Sequence, residues 1–133
     1  MLLIILVINI EPGYRYSVWM SYLEIYNERI FDLLDEQVVD PTKKEILKLK
    51  EDKAGHVFVK GLKEVHVKNA EEGHDLLQKG FKNRQVANTM LNQDSSRSHS
   101  VIVFKLIQVP EDKDSAAIKK VKLNTWYYFY NYS

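Results

Sequence analysis

The side chains best suited to bind a ligand or take part in a reaction lie in one polar stretch, residues 92–99. Its sequence is Asn-Gln-Asp-Ser-Ser-Arg-Ser-His. Serine hydroxyls are neutral oxygen ligands for Mg²⁺ and can also donate hydrogen bonds to phosphate oxygens. An adjacent arginine can pair with a phosphate or with a carboxylate on another loop. Such a loop could detect a terminal phosphate and change its order when the phosphate leaves. On chemistry alone, ordinary turn formation is the better interpretation, because Ser, Asn and Asp are common in turns.

Other catalytic and metal-binding patterns are weak in this sequence. The four histidines have no metal-ligand spacing, and none pairs with another one helical turn away. No serine, histidine and acid can be identified as a triad from the sequence. None of the five glycines begins the G-x-x-x-x-G-K-[ST] pattern of a phosphate-binding loop. The Asp-x-x-Gly string at residues 52–55 is interpreted as a turn.

The elements before the polar loop are mostly extended. Residues 17–26 carry large apolar groups on both alternating faces, which predicts a strand covered on both sides. Asn27 is predicted to cap a short helix with an apolar side formed by Ile30, Phe31, Leu33 and Leu34. Short extended segments separated by turns then predict a hairpin-like excursion, over residues 46–49, 56–60 and 62–67.

A longer helix is predicted over residues 70–87, directly before the polar loop. Asn69 followed by Glu72 resembles a capping box, which marks the start of a helix. The buried stripe of this helix is predicted to contain Leu76, Leu77, Phe81 and Val86. An apolar strand is predicted after the loop, at residues 99–109. This order of elements predicts an α/β fold with a mixed β-sheet and flanking helices.

Composition limits the possible classes of protein. The chain has 133 residues, 45% of them hydrophobic and 28% charged, which suits one globular domain. A net charge of +1 gives no field that points to nucleic acid or to an anionic membrane. The absence of cysteine excludes disulfides and thiolate zinc sites. The apolar run at residues 1–8 is too short to span a membrane and is predicted to be a buried strand or a feature of the chain start.

Three motifs together resemble the kinesin motor domain. SYLEIYNERIFDLL, residues 21–34, resembles a kinesin strand and the short helix after it. EDKAGHVFVKGL, residues 51–62, resembles the microtubule-facing hairpin of kinesins. NQDSSRSHS, residues 92–100, resembles the phosphate-sensing loop called switch I and is the most specific of the three. The variant ANTMLNQDSSRSHSV is most similar to mitotic, cytokinesis-associated kinesins.

The resemblance assigns roles to individual residues. It implies that Ser95 and Ser96 contact the γ-phosphate and Mg²⁺, with Ser96 as the metal ligand. Arg97 would pair with an acid of a second loop, switch II, and Asn92 would hold the loop and the attacking water. Lys53, His56 and Lys60 are expected on the microtubule-facing surface. The family resemblance further implies ATP as cofactor and a location in the cytoplasm, on the cytoskeleton and at the mitotic spindle.

The resemblance is expected to cover only part of the chain, and it leaves three interpretations open. Residues 14–109 are predicted to form a partial P-loop NTPase motor fold, flanked by an N-terminal extension at 1–13 and a charged loop with an aromatic tail at 110–133. No phosphate-binding loop or switch II is identified, so the chain alone is expected to lack ATPase activity. The chain is interpreted as a motor-domain fragment, as a non-enzymatic tubulin- or partner-binding module, or as a truncated gene model without autonomous function.

Overall fold

The computed structural model describes residues 11–35, 40–111 and 122–130. These residues form one α-helix and seven β-strands. The elements in chain order are β1 (Tyr14–Tyr26), β2 (Arg29–Asp32), β3 (Lys48–Glu51), β4 (Val57–Lys60), β5 (Val65–Val67), α1 (Ala70–Met90), β6 (Ser98–Pro110) and β7 (Lys122–Tyr130). The predictions for residues 1–10 and for most of the charged loop, 112–121, lie outside the described residues.

Two long antiparallel strands form the centre of the main sheet. Strands β1 and β6 pair along their full length, from Tyr14 opposite Pro110 to Tyr26 opposite Ser98. Alternate residues of β1 point into two separate hydrophobic clusters, with Tyr22 in one and Leu23 in the other. The prediction of a strand covered on both faces is therefore confirmed.

The predicted short helix after Asn27 is wrong, because these residues form a β-hairpin. Asn27 and Glu28 have φ angles of 47° and 63°, and strand β2 then pairs back onto β1. A two-residue turn with both residues in the left-handed region matches the twist of antiparallel strands, and asparagine adopts this conformation readily. The expectation of flanking helices is thus corrected to one α-helix beside the sheet in the described part of the chain.

The first two segments of the predicted hairpin-like excursion form a separate two-stranded sheet, whereas the third segment forms β5 and pairs with β1 in the main sheet. Strands β3 and β4 pair from Lys48 opposite Lys60 to Glu51 opposite Val57. The Asp52 side chain closes the turn, since its Oδ1 accepts hydrogen bonds from the amides of Ala54 and His56 at 2.8 and 2.9 Å. The hairpin is joined to the main sheet by packing of Val59 against the cluster that contains Leu23, Ile30 and Leu47.

Helix α1 starts as predicted and packs very closely on β1. Asn69 caps it by accepting a hydrogen bond from the Glu72 amide at 2.8 Å. A Cβ built on Gly80 would lie 2.1 Å from the ring of Tyr22, so glycine is required for this approach. Val86 was predicted to be buried but is 41% exposed, because the helix instead turns Arg84 and Ala87 inward.

Strand β7 adds an edge to the main sheet at the aromatic-rich end of the chain. It pairs antiparallel with β6 from Gln108 opposite Lys122 to Ser100 opposite Tyr130. The Tyr128 ring packs edge-on against Phe104, with the ring centroids 5.9 Å apart. No helix among the described residues is long and apolar enough to cross a membrane.

Candidate functional site

The polar loop connects the end of α1 to the start of β6 through a tight change in chain direction. Asn92 has a φ of 48°, a left-handed conformation that asparagine tolerates. Residues Ser95–Arg97 then form one turn of 3₁₀-helix. Asp94 caps this turn, since its Oδ1 accepts from the Ser96 amide at 2.9 Å and its carbonyl from the Arg97 amide at 3.1 Å. These local bonds fix the backbone shape of the loop.

All four predicted site residues lie in this one loop. Asn92, Ser96 and Arg97 are exposed, so their side chains are available to a ligand or to another part of a larger domain. Hydrogen bonds from the Ser96 side chain and amide hold the pKa of the Asp94 carboxyl below its usual value. Asp94 therefore stays ionised at neutral pH and supports the turn.

The exposed Ser96 hydroxyl could supply only one oxygen ligand to a metal ion. Among the described residues, no three His, Cys, Asp or Glu side chains cluster in a way that could hold a metal. Mg²⁺ commonly keeps several water ligands and takes the remainder from phosphate oxygens and one or two protein groups. One hydroxyl ligand from Ser96 fits that pattern, provided that a bound nucleotide supplies the phosphates.

A buried polar network lies directly behind the loop. Arg84 on α1 donates from Nε to Glu24 Oε1 on β1 at 3.4 Å and from Nη2 to Ser98 Oγ at 2.9 Å. Its Nη1 donates to Ser100 Oγ at 3.2 Å. The Ser98 hydroxyl in turn donates to Glu24 Oε1. The four residues are at most 4% exposed, so this charge pair and its two hydroxyls are shielded from solvent.

Sequence reasoning missed this network. Glu24 shares its β1 face with Met20 and Tyr22, which are fully buried. A charged side chain on an apolar face of a covered strand needs a partner, because an unpaired buried charge is very costly. That signal predicts a partner for Glu24, but sequence alone did not identify Arg84, which lies 60 residues further along the chain.

The predicted microtubule-facing residues lie on the β3–β4 hairpin, not in the polar loop. Lys53, His56 and Lys60 are all exposed. The His56 ring is held 3.1 Å from Asp52 Oδ2, and hydrogen bonds from His56 lower the pKa of the Asp52 carboxyl. The same hairpin exposes large apolar side chains, namely Leu49, Val57 and Phe58.

A helix that leads into a Ser-Ser-Arg loop, followed by a strand of the main sheet, is the arrangement that the motifs predicted. A profile of the family described as "Kinesin motor domain" matches residues 6–125. The chain belongs to the kinesin motor domain family. The match extends beyond both ends of residues 14–109, over which the sequence motifs resemble the family.

The most informative relatives come from one part of this family. The chain is 46% identical over 117 residues to mouse kinesin-like protein KIF23 and 44% identical over 105 residues to human KIF20A. These alignments cover 86% and 79% of this chain but only 12% of each relative. The resemblance to mitotic and cytokinesis-associated kinesins is confirmed.

Solved structures confirm the partial motor fold. One, entitled "kinesin 6", superposes with a TM-score of 0.74 at 26% identity and covers 90% of this chain. A fast kinesin superposes with a TM-score of 0.72 at 34% identity. This chain spans 33% and 31% of those two structures. Kinesin motors bind ATP with Mg²⁺ and bind microtubules. The kinesin-6 relatives of this chain are cytoskeletal proteins.

Proposed function

We propose that this chain supplies the phosphate-sensing loop and part of the microtubule-facing surface of an ATP-hydrolysing microtubule motor that acts on the mitotic spindle. The observation that carries this proposal is the turn at Ser95–Arg97, which lies between α1 and the central strand β6. Ser96 offers a hydroxyl and Arg97 a guanidinium from the same turn, and both are exposed. Phosphoryl transfer depends on positioned charges and donors of this kind.

Within the proposal, each loop residue has a distinct task. Ser95 and Ser96 contact the γ-phosphate, and Ser96 also supplies one oxygen ligand to Mg²⁺. Arg97 pairs with an acid on another loop and closes the site, while Asn92 holds the loop and the attacking water. Bound Mg²⁺ would neutralise charge that develops on the phosphates.

The β3–β4 hairpin is proposed to contact the microtubule. Lys53 and Lys60 lie exposed at the turn and at the far end of β4, so they present positive charge along the length of the hairpin. Asp52 holds the turn and the His56 ring in place. Cationic groups on a rigid hairpin would be attracted to an acidic filament, and this attraction would weaken as salt is added.

The nucleotide role is tested by transplanting residues 14–109 into the motor domain of KIF23 in place of the matching segment. We expect microtubule-stimulated ATPase activity in the chimera. Ser96→Ala and Arg97→Ala should each lower kcat by roughly 10²- to 10³-fold, the typical cost of losing one transition-state donor. Arg29→Ala, which removes an exposed arginine from β2, is the matched control. A folded, active chimera that is indifferent to both loop substitutions would refute the proposal.

The 133 residues by themselves are proposed to lack ATPase activity, because they contain no phosphate-binding loop pattern. Robust turnover by the purified chain would disprove this. Calorimetry with Mg-ATP at about millimolar concentration separates nucleotide binding from hydrolysis, since weak binding of about −4 kcal/mol is still measurable there. Absence of heat would reject nucleotide binding by the chain alone.

A second candidate function, a non-enzymatic tubulin-binding module, is favoured by the exposed cationic and apolar groups of the hairpin. Co-sedimentation with microtubules at low salt tests it. Lys53→Ala combined with Lys60→Ala should weaken binding, whereas Lys68→Ala combined with Lys82→Ala removes the same charge at and near α1 and should not. Equal binding by the parent chain and both double variants would exclude the hairpin surface.

A further inference from the structure

The buried network of Glu24, Arg84, Ser98 and Ser100 connects three elements at the base of the polar loop. Arg84 lies about two turns before α1 ends at Met90. Ser98 directly follows Arg97 and is the first residue of β6. Glu24 lies on β1, where its backbone pairs with Ser100. The helix that enters the loop and the strand that leaves it are therefore bonded to each other through one guanidinium.

Ser98 is the closest link between the network and the loop. Its hydroxyl accepts from Arg84 Nη2 at 2.9 Å and donates to Glu24 Oε1. Its carbonyl also accepts from Arg84 Nη2, at 3.2 Å. A side chain and a backbone group of one residue are thus fixed by the same arginine. A shift of the Arg97 backbone that also displaces Ser98 would disturb these bonds.

We propose that Arg84 and Glu24 are positioning residues for the polar loop, with Ser98 transmitting their effect to the turn at Ser95–Arg97. A planar guanidinium that donates in several fixed directions restrains both loop ends at once, which a lysine ammonium cannot do with the same geometry. The loop thereby keeps a defined position on the buried network while the Ser96 and Arg97 side chains stay exposed. The claim that this positioning serves nucleotide sensing rests on the function proposed above. The claim that Arg84 and Glu24 position the loop does not.

Hydrogen exchange of the full 133-residue chain, followed by NMR, tests this inference without nucleotide. The reporters in the loop are the amides of Ser96 and Arg97, which are bonded to Asp94. The reporters in the sheet are the amides of Leu33 and Leu47, which are bonded to Tyr22 and Ile30 at 2.9 and 2.8 Å. A residue that only stabilises the fold changes both sets alike, whereas a positioning residue acts on the loop selectively.

Ser98→Ala is the first variant, because it removes the bridging hydroxyl and no charge. We expect exchange of the two loop amides to accelerate by roughly tenfold or more, with the sheet amides changed by less than about twofold. Ser17→Ala is the matched control, since Ser17 Oγ accepts a hydrogen bond from Trp19 Nε1 at the other end of β1. The control should leave the loop amides unchanged. An equal acceleration of loop and sheet amides, or no acceleration of the loop, overturns the inference.

Arg84→Lys is the second variant and is decisive if Ser98→Ala fails to fold. It keeps the positive charge beside Glu24 but loses the fork that reaches Ser98 and Ser100. Selective acceleration of the loop amides supports positioning, while unchanged loop amides in a folded variant contradict it. The outcome is separable from the proposed function: selective loop exchange in this chain together with an inactive KIF23 chimera would reject the motor role and retain the positioning role.

Discussion

The close contact between Gly80 and Tyr22 leads to a prediction in which helix propensity and packing oppose each other. Alanine at an interior helical position normally improves stability over glycine by about 1 kcal/mol. Here the added methyl group would lie 2.1 Å from one Tyr22 ring carbon and 2.5 Å from another. Ordinary contact begins at 3.4 Å, so the helix or the ring has to move by about 1.3 Å.

The expected magnitude follows from the surroundings of the ring. Tyr22 is 0% exposed, and its ring also packs edge-on against Phe81 with centroids 5.8 Å apart. The ring is therefore enclosed by neighbouring groups, and overpacking at such a site costs about 1–3 kcal/mol. Allowing for the gain in helix propensity of about 1 kcal/mol, we expect Gly80→Ala to lower the free energy of unfolding by up to about 2 kcal/mol. The Tm should fall by up to about 8 °C.

Thermal and urea unfolding followed by circular dichroism measure this effect. Gly73→Ala is the matched control on the same helix, because its methyl group would meet only Val67 Cγ1, at 3.3 Å. We expect the Tm of Gly73→Ala to equal or exceed that of the parent chain. Combining Gly80→Ala with Tyr22→Leu should cost less than the sum of the single changes, since a leucine vacates the ring position. Equal stability of the Gly80→Ala and Gly73→Ala variants would refute the packing described for α1 on β1.

Two further predictions concern carboxyl groups with altered pKa values. Burial raises the pKa of Asp32 above 3.8, so the folded protein binds this proton more tightly than the unfolded chain. The stability that this group contributes is present below pH 3.8 and is lost as pH rises through the folded-state pKa. Unfolding of the parent chain and of Asp32→Asn is compared across this pH range. The loss of stability with rising pH should be absent from Asp32→Asn. Asp52 has the opposite shift, because hydrogen bonds from His56 lower its pKa below 3.8. The hairpin turn should therefore persist above pH 3.8 and open only as pH falls through the lower folded-state pKa. An NMR titration that places the pKa of Asp52 at or above 3.8 would contradict this.

Local pattern determined several features of this protein without any knowledge of the fold. The alternation in residues 17–26 predicted a central strand covered on both faces, and β1 has that environment. Asn69 predicted the start of α1, because a capping side chain acts on amides only two or three residues away. The polar stretch around Ser-Ser-Arg predicted a loop between a helix and a strand, and residues 92–97 form that connection. The family resemblance rested on the motifs at residues 21–34, 51–62 and 92–100 and is confirmed.

The tertiary structure alone decided which distant residues meet. The pattern of apolar residues after Asn27 predicted a helix, but pairing of Arg29–Asp32 with β1 makes this segment a hairpin. Arg84 is buried on α1 while Val86, predicted to be buried, is exposed, because Glu24 on another element provides a buried partner for the guanidinium. Glycine has a low helix propensity, so the sequence gives no reason for Gly80 within α1. The reason is the Tyr22 ring, which lies too close to this position for a Cβ atom. Short-range periodicity and capping are encoded within a few residues, whereas burial and charge pairing depend on contacts between segments far apart in the chain.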